Sequence, residues 1–382
     1  MLIGLDAIPL TEPRTGVGHY TFELARALAR AAPAEEFELS YPSRYPEIEL
    51  GGEERASLPA NLALARVRVG VVGRRWFAAG LPRYAARRGF GLFHGTNFEV
   101  PLWGRAARVL TIHDLSLLAL PEAHERARVR RARRRLPLMA RAADAVLTPT
   151  ESVRREACAL LKLAPSKVFA VPEAARDRFR PAGFEETAEA RRRLGAGEEF
   201  LLAVGTIEPR KNLPLLVGAF EEVLRARPGA GLRLVVAGRR GWLEEALFAR
   251  LEGSPARDRV VLTGYVSDAD LRALYASCRA FVYPSVYEGF GLPPLEAMSC
   301  GAPVVAGRSA AVAEVTGGAA RLFDPADKDG LTRALLDILD DAAARRALAE
   351  AGLRRAAGFS WERTARMTLE VYAEAMKRGS RR

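Results

Sequence analysis

Two carboxylates eight positions apart are the residues of this chain best suited to chemistry. Glu288 and Glu296 lie within residues 287–303, where a glycine-bracketed loop at 289–291 leads into a segment opening with two prolines. Proline suits a first helical turn, since its missing N–H loses no intrahelical partner, so we predict a short helix with Glu296 in its first turn. Such a helix start binds anions, and carboxylates beside it suggest hydroxyl recognition. A phosphorylated sugar carries both groups.

A pair of cations occupies another loop. Arg210 and Lys211 lie in Gly205-Thr-Ile-Glu-Pro-Arg-Lys-Asn212, between an apolar strand predicted at 200–204 and a helix. Arginine offers a planar fork and lysine a point charge, which together can bind a diphosphate. The alternative is a solvated turn with ordinary surface bases. Lysine is rare in this chain, with five residues, and its presence here favours the functional interpretation.

Alternating strands and helices must position these loops. Alternation of this kind predicts parallel sheets with helices on both faces, in which ligands bind beyond the carboxyl ends of the strands. Helices are predicted at 20–30 and from near Asn212, Trp242 and Ser267. The predicted strands are 1–9, 36–40, 92–95, 109–113, 145–149, 200–204, 232–237, 260–264 and 281–284.

The length of 382 residues predicts two domains. The weakest periodicity falls at 172–197, where Pro181, Gly183 and a run of Glu and Arg indicate a hinge. We therefore predict domains at 1–175 and 176–361, and we expect the amphipathic terminal segment 362–382 to pack back onto the first. The cleft between two such domains is the expected binding site.

Composition limits the class of protein. The net charge of +12 invites a nucleic-acid or membrane interpretation, but 53 of the 58 basic residues are Arg (58 − 5 Lys), there are three Asn and no Gln. That bias is typical of genome composition, so a single Arg carries little information. No apolar run reaches the roughly 18 residues of a spanning helix, and no basic start indicates a signal peptide. Three separated cysteines form no disulfide framework. We expect a reduced, cytoplasmic protein.

Three further features could contribute to a site. Gly16 and Gly18, in Thr15-Gly-Val-Gly-His19, resemble a phosphate loop but lack the third glycine and the acidic residue of a dinucleotide site. We expect them to approach a phosphate or sugar. His113 and His94 end predicted strands and are expected to face the cleft. A neutral imidazole at His113 could bind a sugar hydroxyl, and filling a pocket is the alternative.

Two Asp-x-Asp pairs are better explained by helix starts than as magnesium sites. Ser267 and Asp270 have capping-box spacing, which accounts for the pair Asp268 and Asp270. The pair Asp327 and Asp329 lies at another predicted helix start, where the helix dipole favours acids. We predict no metal site.

Basic segments are the last candidates. Residues 126–135 contain seven arginines in ten positions; a solvated helix face is the default interpretation, and peripheral docking on an anionic membrane is the alternative. The segment 74–88 is both basic and aromatic and is a second candidate. No module or aromatic-interleaved basic strand of a nucleic-acid-binding protein is present, so we expect no nucleic-acid partner.

Together these motifs resemble the retaining glycosyltransferases of family 4, of GT-B architecture and mannosyltransferase-like. The resemblance covers nearly the whole chain and is most specific in Glu288…Glu296, Arg210-Lys211 and the turn Thr263-Gly-Tyr-Val266. It implies an α/β fold of two Rossmann-like, doubly wound parallel-sheet domains facing across a cleft. Residues 1–175 would then form the acceptor-side domain and 176–361 the donor-binding domain.

The resemblance also implies roles for single residues. Glu296 would hold the ribose hydroxyls, Glu288 would lie by the donor sugar, and Arg210 and Lys211 would bind the diphosphate. His113 lies where family members place a residue against the donor sugar. Glu288, His113, Arg210 and Lys211 form the implied catalytic set. The remaining implied donor contacts are Gly16, Gly18, Tyr265, Val266, Gly289, Phe290, Gly291 and Leu292.

The implied activity is transfer of a hexose, with a lean towards mannose, from a GDP- or UDP-sugar to a glycan or lipid-linked acceptor with retention. No cofactor or metal is implied, because Arg210, Lys211 and the helix start would stabilise the departing diphosphate; such preorganised groups contribute about 3–4 kcal/mol each. Glu288 and the segment 174–177 could stabilise the positive charge that develops on the sugar ring. The chain departs from the family at Pro172-Glu-Ala-Ala175, where many members carry Asn-Gly.

Two other classes stay open. An epimerase or a phosphorylase shares this architecture, and a phosphorylase needs a lysine for pyridoxal phosphate, for which Lys211 is the one well-placed residue. A non-catalytic protein that binds a nucleotide sugar, or docks on a membrane, is the other alternative.

Overall fold

A computed structural model describes residues 1–12, 14, 16–70 and 75–380 of the chain. These residues form two compact units. The first unit is drawn from segments 1–118, 129–173 and 360–382, and the second from segments 119–128 and 174–359. Among the residues described, no helix has both the length and the apolar character needed to span a bilayer.

The first unit contains a parallel sheet. Its strands are β1 Leu2–Asp6, β2 Glu36–Pro42, β3 Leu62–Val67, β4 Phe90–Gly95, β5 Ala107–Thr111, β6 Ala145–Thr148 and β7 Val168–Ala170. They lie in the order β3-β2-β1-β4-β5-β6-β7. Every residue of β5 and β6 is buried, as expected for parallel strands covered on both faces. The strand order reverses between β1 and β4, the place where ligands bind in such sheets.

The second unit contains another parallel sheet. Its strands are β8 Phe200–Val204, β9 Arg233–Ala237, β10 Val260–Gly264, β11 Ala280–Tyr283, β12 Val304–Gly307 and β13 Arg321–Phe323. They lie in the order β10-β9-β8-β11-β12-β13, which reverses between β8 and β11. Alternate residues of β8 enter two separate apolar clusters, one on each face. The sheet is therefore covered by helices on both sides.

Helices cover both sheets. In chain order, those of the described residues are α1 Gly16–Ala31, α2 Gly52–Ala56, α3 Leu81–Arg88, α4 Ser116–Ala119, α5 Arg126–Ala142, α6 Glu151–Leu161, α7 Phe184–Arg193, α8 Leu213–Ala226, α9 Glu245–Glu252, α10 Asp268–Ser277, α11 Leu292–Ser299, α12 Ala310–Thr316, α13 Lys328–Asp340, α14 Ala342–Ala356 and α15 Trp361–Gly379. The buried face of α15 carries Trp361, Ala365, Val371 and Tyr372, and it packs on α1 and β5 of the first unit.

Most predicted elements are present with small shifts. Strands β8 and β10 begin and end at the predicted residues. The first strand stops at Asp6 rather than residue 9, because Ile8–Leu10 forms a 3₁₀ turn. Strands β3, β7, β12 and β13 were not predicted. Three of them lie at sheet edges, where exposed positions interrupt the apolar pattern, as in β3 and β13.

The segment 172–197, expected to be a hinge, contains helix α7. Acids in its first turn, Glu185 and Glu186, and the run Arg191, Arg192 and Arg193 in its last turn complement the helix dipole. The charge run interpreted as a hinge is therefore the signature of a helix. The two units divide between Glu173 and Ala174, and the acceptor and donor roles assigned to them stay predictions.

Candidate active site

The loop after β8 is fastened to loops that follow neighbouring strands. Asn212 has left-handed backbone angles (φ 52°, ψ 35°). Its side-chain amide donates to the carbonyl oxygens of Pro284, at 3.3 Å, and Pro325, at 2.8 Å. The carbonyl oxygen of Arg210 accepts from the amide of Val286 at 3.0 Å. These bonds fix the cationic loop at the carboxyl ends of β8 and β11, where the strand order reverses.

Two glycines allow this loop to leave the sheet. Gly205 has a φ of +146°, a conformation that side-chain-bearing residues rarely adopt. A Cβ on Gly238, at the end of β9, would lie 2.0 Å from the Gly205 oxygen. The close approach of these two backbones therefore requires glycine at Gly238.

Glu288 binds both cations of the loop. Its Oε1 accepts from Lys211 Nζ at 2.6 Å and its Oε2 accepts from Arg210 Nη1 at 2.9 Å. Lys211 also donates to the hydroxyl of Tyr283 at 2.8 Å, and Arg210 Nη1 donates to the carbonyl oxygen of Tyr287 at 3.0 Å. Residues 77 and 78 positions apart in the chain are thus brought into one cluster.

Glu288 is buried and ionised. Burial of Glu288 by itself favours the neutral acid, but the charges of Arg210 and Lys211 outweigh burial and lower its pKa to about 2. An ionised carboxylate accepts hydrogen bonds and donates none. Glu288 can therefore bind sugar hydroxyls only as an acceptor.

A second carboxylate, Glu208, joins the same cluster. Its Oε1 accepts from Arg210 Nη2 at 2.6 Å, and the residue is 5% exposed. No sequence pattern singles out Glu208 as functional; the signal available was its place two residues before Arg210 in a loop at a strand end. With Glu208 and Glu288 present, the charges of Arg210 and Lys211 are balanced.

Helix α11 starts as the two prolines predict, with one correction. Gly291 precedes the helix with a φ of +103°, and Pro293 and Pro294 are its second and third residues. Glu296 is therefore the fifth helical residue and lies in the second turn, not the first. Since the prolines have no N–H, the amides of Gly291 and Leu292 are the donors that this helix start can offer to an anion.

The side chains of Phe290, Tyr265 and Val266, which were predicted to contact the donor, differ in their exposure to solvent. Phe290 is buried, and its ring packs edge-on against Phe359 with centroids 6.0 Å apart; its side chain belongs to the core. Tyr265, after β10, is 61% exposed, whereas Val266 packs against the core. Of these three side chains, Tyr265 is the one accessible to a ligand.

Glu296 belongs to a second buried charge cluster. Its Oε1 accepts from Arg176 Nη2 at 3.4 Å and its Oε2 from the Tyr275 hydroxyl at 3.5 Å. Burial raises the pKa of Glu296 to about 7 against the opposing effect of Arg176. Arg176 Nη1 also donates to Asp268 Oδ2 at 2.7 Å, and Arg178 donates to the same oxygen at 2.8 Å. Within the segment 174–177, Arg176 is the residue that reaches the site.

Both Asp-x-Asp pairs lie at helix starts. Ser267 Oγ accepts from the amide of Asp270 at 3.1 Å, and Asp327 Oδ1 accepts from the amide of Gly330 at 2.8 Å. Ser267 thus caps α10 as predicted, and Asp327 and Asp329 lie at the start of α13, where a helix start was predicted. In the described ranges, no group of three His, Cys, Asp or Glu side chains is placed to hold a metal ion.

His113 lies in the first unit, two residues beyond β5. Its Nε2 is 2.8 Å from the carbonyl oxygen of Thr96, and its Nδ1 is 3.2 Å from Glu173 Oε1. The ring of Tyr20 meets the imidazole edge-on, with centroids 4.7 Å apart. Both ring nitrogens thus already have acceptors within the protein.

The expectation that His94 faces a cleft is wrong. The residue is fully buried, with Nδ1 2.8 Å from the Tyr372 hydroxyl and Nε2 2.7 Å from Thr111 Oγ1. Burial lowers the pKa of His94 to about 3. It is a neutral core residue whose hydrogen-bonding groups are satisfied.

Gly16 and Gly18 do not form a loop. They lie in the first turn of α1, which begins at Gly16; Thr15 is outside the described residues. Gly16 is exposed. Gly18 is buried, and a Cβ there would lie 2.8 Å from the carbonyl oxygen of Pro9. Packing against that carbonyl accounts for glycine at Gly18 without a ligand.

Comparison with known proteins agrees with this arrangement. The family model described as Glycosyltransferase Family 4 matches residues 14–175, and the model described as Glycosyl transferases group 1 matches residues 185–355. The O-antigen chain mannosyltransferase B of Escherichia coli is 33% identical over 373 residues, covering 95% of this chain and 97% of that protein.

Solved structures share the fold. Sucrose-phosphate synthase from Thermosynechococcus elongatus aligns with a TM-score of 0.77 at 22% identity, over 97% of this chain and 98% of its own. HepE from Anabaena, in complex with UDP and glucose, aligns with a TM-score of 0.75 at 18% identity, over 97% and 99%. The predicted family, GT-B fold class and enzyme class are confirmed. The chain belongs to glycosyltransferase family 4 and is a glycosyltransferase of the GT-B fold.

Proposed function

We propose that the protein transfers mannose from GDP-mannose to a glycan or lipid-linked acceptor, with retention and without a metal or cofactor. The second unit would bind the donor and the first unit the acceptor. The observation that carries the proposal is the Glu288–Arg210–Lys211 cluster at the reversal of the second sheet. Mannose is supported by the 33% identical relative, an O-antigen chain mannosyltransferase.

The cluster suits a departing diphosphate. Breaking the bond between the anomeric carbon and the leaving oxygen builds negative charge on the diphosphate and positive charge on the sugar ring. Arg210, Lys211 and the amides of Gly291 and Leu292 would stabilise the negative charge in place of a metal ion. When phosphate oxygens take over the cations, the carboxylate of Glu288 becomes available to the sugar hydroxyls. Donor binding is therefore an exchange of acceptors on Arg210 and Lys211.

The second charge cluster lies at the implied nucleoside end of the donor. Arg176 bridges Glu296, the implied ribose contact, to the carboxylate of Asp268. Asp268 follows the turn implied to contact the base. GDP is proposed because mannose is the proposed sugar, although the structural relative HepE was solved with UDP.

The family resemblance supports retention, and the cationic cluster supports metal independence. Nuclear magnetic resonance of the product reports the anomeric configuration directly, and we expect the α-linkage of the donor to be kept. Chelation by EDTA should leave the rate unchanged. An inverted product, or a rate restored only by Mg²⁺ or Mn²⁺, would overturn the respective part of the proposal.

The decisive assay offers GDP-mannose and UDP-glucose with octyl α-mannoside as acceptor. We expect GDP-mannose to extend the acceptor by one mannose and UDP-glucose to give no product. Glu288→Ala should abolish transfer while GDP still binds, since its loss leaves both cations in place. Transfer from UDP-glucose alone would contradict the donor. Stabilisation by GDP-mannose without transfer or hydrolysis by the wild-type protein would favour the non-catalytic alternative.

We also propose that the exposed face of α5 docks on an anionic lipid surface. Arg130, Arg133 and Arg134 are exposed there beside Leu138, which is 50% exposed. Segment 74–88 is the weaker candidate, because Trp76 and Phe77 are buried and Arg74 lies outside the described residues. Vesicles with anionic lipid should sediment the protein in low salt, and neutral vesicles should not. Equal sedimentation with both, or with neither, would contradict docking.

A further inference from the structure

The guanidinium of Arg210 is held at both ends of its fork by different carboxylates. Nη2 donates to Glu208 Oε1 at 2.6 Å, whereas Nη1 donates to Glu288 Oε2 at 2.9 Å and to the carbonyl oxygen of Tyr287 at 3.0 Å. Since Nη1 serves two acceptors on the loop before α11 and Nη2 serves Glu208, the two ends can change partners separately.

The two carboxylates sit on different segments. Glu288 belongs to the loop that leads into α11. Glu208 immediately precedes the turn Pro209–Lys211, on which Arg210 itself lies, and the Lys211 amide donates to the Glu208 carbonyl at 3.0 Å. Pro209 fixes its own φ and so stiffens that turn. The link between Glu208 and Arg210 is therefore local, and it does not depend on the loop that carries Glu288.

An anionic donor must compete with these carboxylates. The two cations Arg210 and Lys211 are balanced by Glu208 and Glu288, so a diphosphate gains full attraction only when a carboxylate withdraws. In the proposed function, Glu288 is the carboxylate that leaves the cations and binds the sugar. A guanidinium released by both carboxylates would regain its rotamer freedom, and ordering it again would cost free energy.

We propose that Glu208 is a positioning residue: it keeps Nη2 of Arg210 fixed while Nη1 exchanges Glu288 for a phosphate oxygen of the donor. The inference rests on the proposed function. It also has a cost, because a buried carboxylate beside the diphosphate repels it. Glu208 would thus trade some affinity for the nucleotide against the orientation of Arg210 during transfer.

Glu208→Gln tests this trade. The amide keeps an oxygen for Nη2 but loses the charge. We expect GDP to bind at least as tightly as to the wild type in calorimetry, while kcat for mannose transfer from GDP-mannose to octyl α-mannoside falls at least tenfold. Glu252→Gln, at the exposed end of α9, removes the same charge and should change neither quantity.

Each other result is informative. An unchanged kcat would overturn the positioning role, and a weaker GDP affinity together with a lower kcat would indicate a structural role instead. If Glu208→Gln does not fold, Glu208→Asp, which keeps the charge but shortens the reach to Nη2, must lower kcat without weakening GDP binding, or the inference fails. If the wild-type protein neither binds GDP nor transfers mannose, the proposed function fails instead.

Discussion

Glu173 Oε1 lies 3.2 Å from Nδ1 of His113, while Nε2 of the same ring lies 2.8 Å from the carbonyl oxygen of Thr96. A carbonyl oxygen has no proton to give, so Nε2 donates to Thr96. These two contacts hold the imidazole in place from both sides. The role predicted for His113 at a sugar hydroxyl stays a prediction.

The support that Glu173 gives to His113 can be tested by substitution. Glutamine keeps polar atoms within reach of Nδ1, whereas alanine removes them. We expect Glu173→Ala to lower the melting temperature and Glu173→Gln to stay close to the wild type. Equal melting temperatures for Glu173→Ala and the wild type would contradict a supporting role for this contact.

The ionisation of Glu288 makes the free energy of unfolding depend on pH in the acid range. Its folded pKa of about 2 lies below its ordinary value of 4.5, so the stabilisation is fully present above pH 4.5 and is lost as the pH falls towards 2. The full shift corresponds to about 3 kcal/mol. Urea unfolding should show a steeper loss between pH 4.5 and 2.5 in the wild type than in Glu288→Gln. Equal slopes would place Glu288 outside the cationic cluster.

Arg176 and Arg178 offer a matched pair, since both donate to Asp268. Arg176 is buried and also holds Glu296, whereas the Arg178 side chain is 45% exposed. Removing one partner of a buried pair costs about 3–5 kcal/mol, and an exposed pair contributes about 0–1 kcal/mol. Arg176→Ala should therefore lower the free energy of unfolding several-fold more than Arg178→Ala. Equal losses would refute the buried cluster.

Substitution of Gly18 distinguishes a packing role from a ligand-binding role. A Cβ there would press on the carbonyl oxygen of Pro9, so Gly18→Ala should lower the melting temperature even without ligand. Gly16→Ala, exposed in the same turn, should leave the melting temperature unchanged or raise it, because alanine is the better helix former. A Gly18→Ala protein as stable as the wild type would restore the interpretation of Gly18 as a ligand contact.

Sequence reasoning found the functional residues that are marked by a short motif next to a predicted strand. Glu288, Arg210 and Lys211 follow predicted strands at a sheet reversal, and parallel topology brings such loops together. Arg176 was not singled out, because its partner Glu296 is 120 positions away and no spacing rule connects them. Glu208 was missed for a different reason: the two cations of its loop were singled out, but no motif marks an acid two residues before Arg210.

The errors share a physical cause, since burial is decided by tertiary packing. His94 and His113 end predicted strands in the same way, yet one is fully buried and the other borders Glu173. The run of charged residues in α7 resembles a flexible hinge, but its acids lie in the first helical turn and its arginines in the last, as the helix dipole favours. Local propensity cannot distinguish these cases, because neighbours distant in the chain decide them.

Calorimetric titration of GDP into the wild type and Lys211→Gln is the most direct check that the paired cations bind the diphosphate. Lys211 donates to Glu288 and would pass to a phosphate oxygen on binding. We predict an affinity at least tenfold weaker for Lys211→Gln, and no change for the exposed control Lys328→Gln. An affinity equal to that of the wild type at Lys211→Gln would place the nucleotide elsewhere and contradict the proposed transfer mechanism.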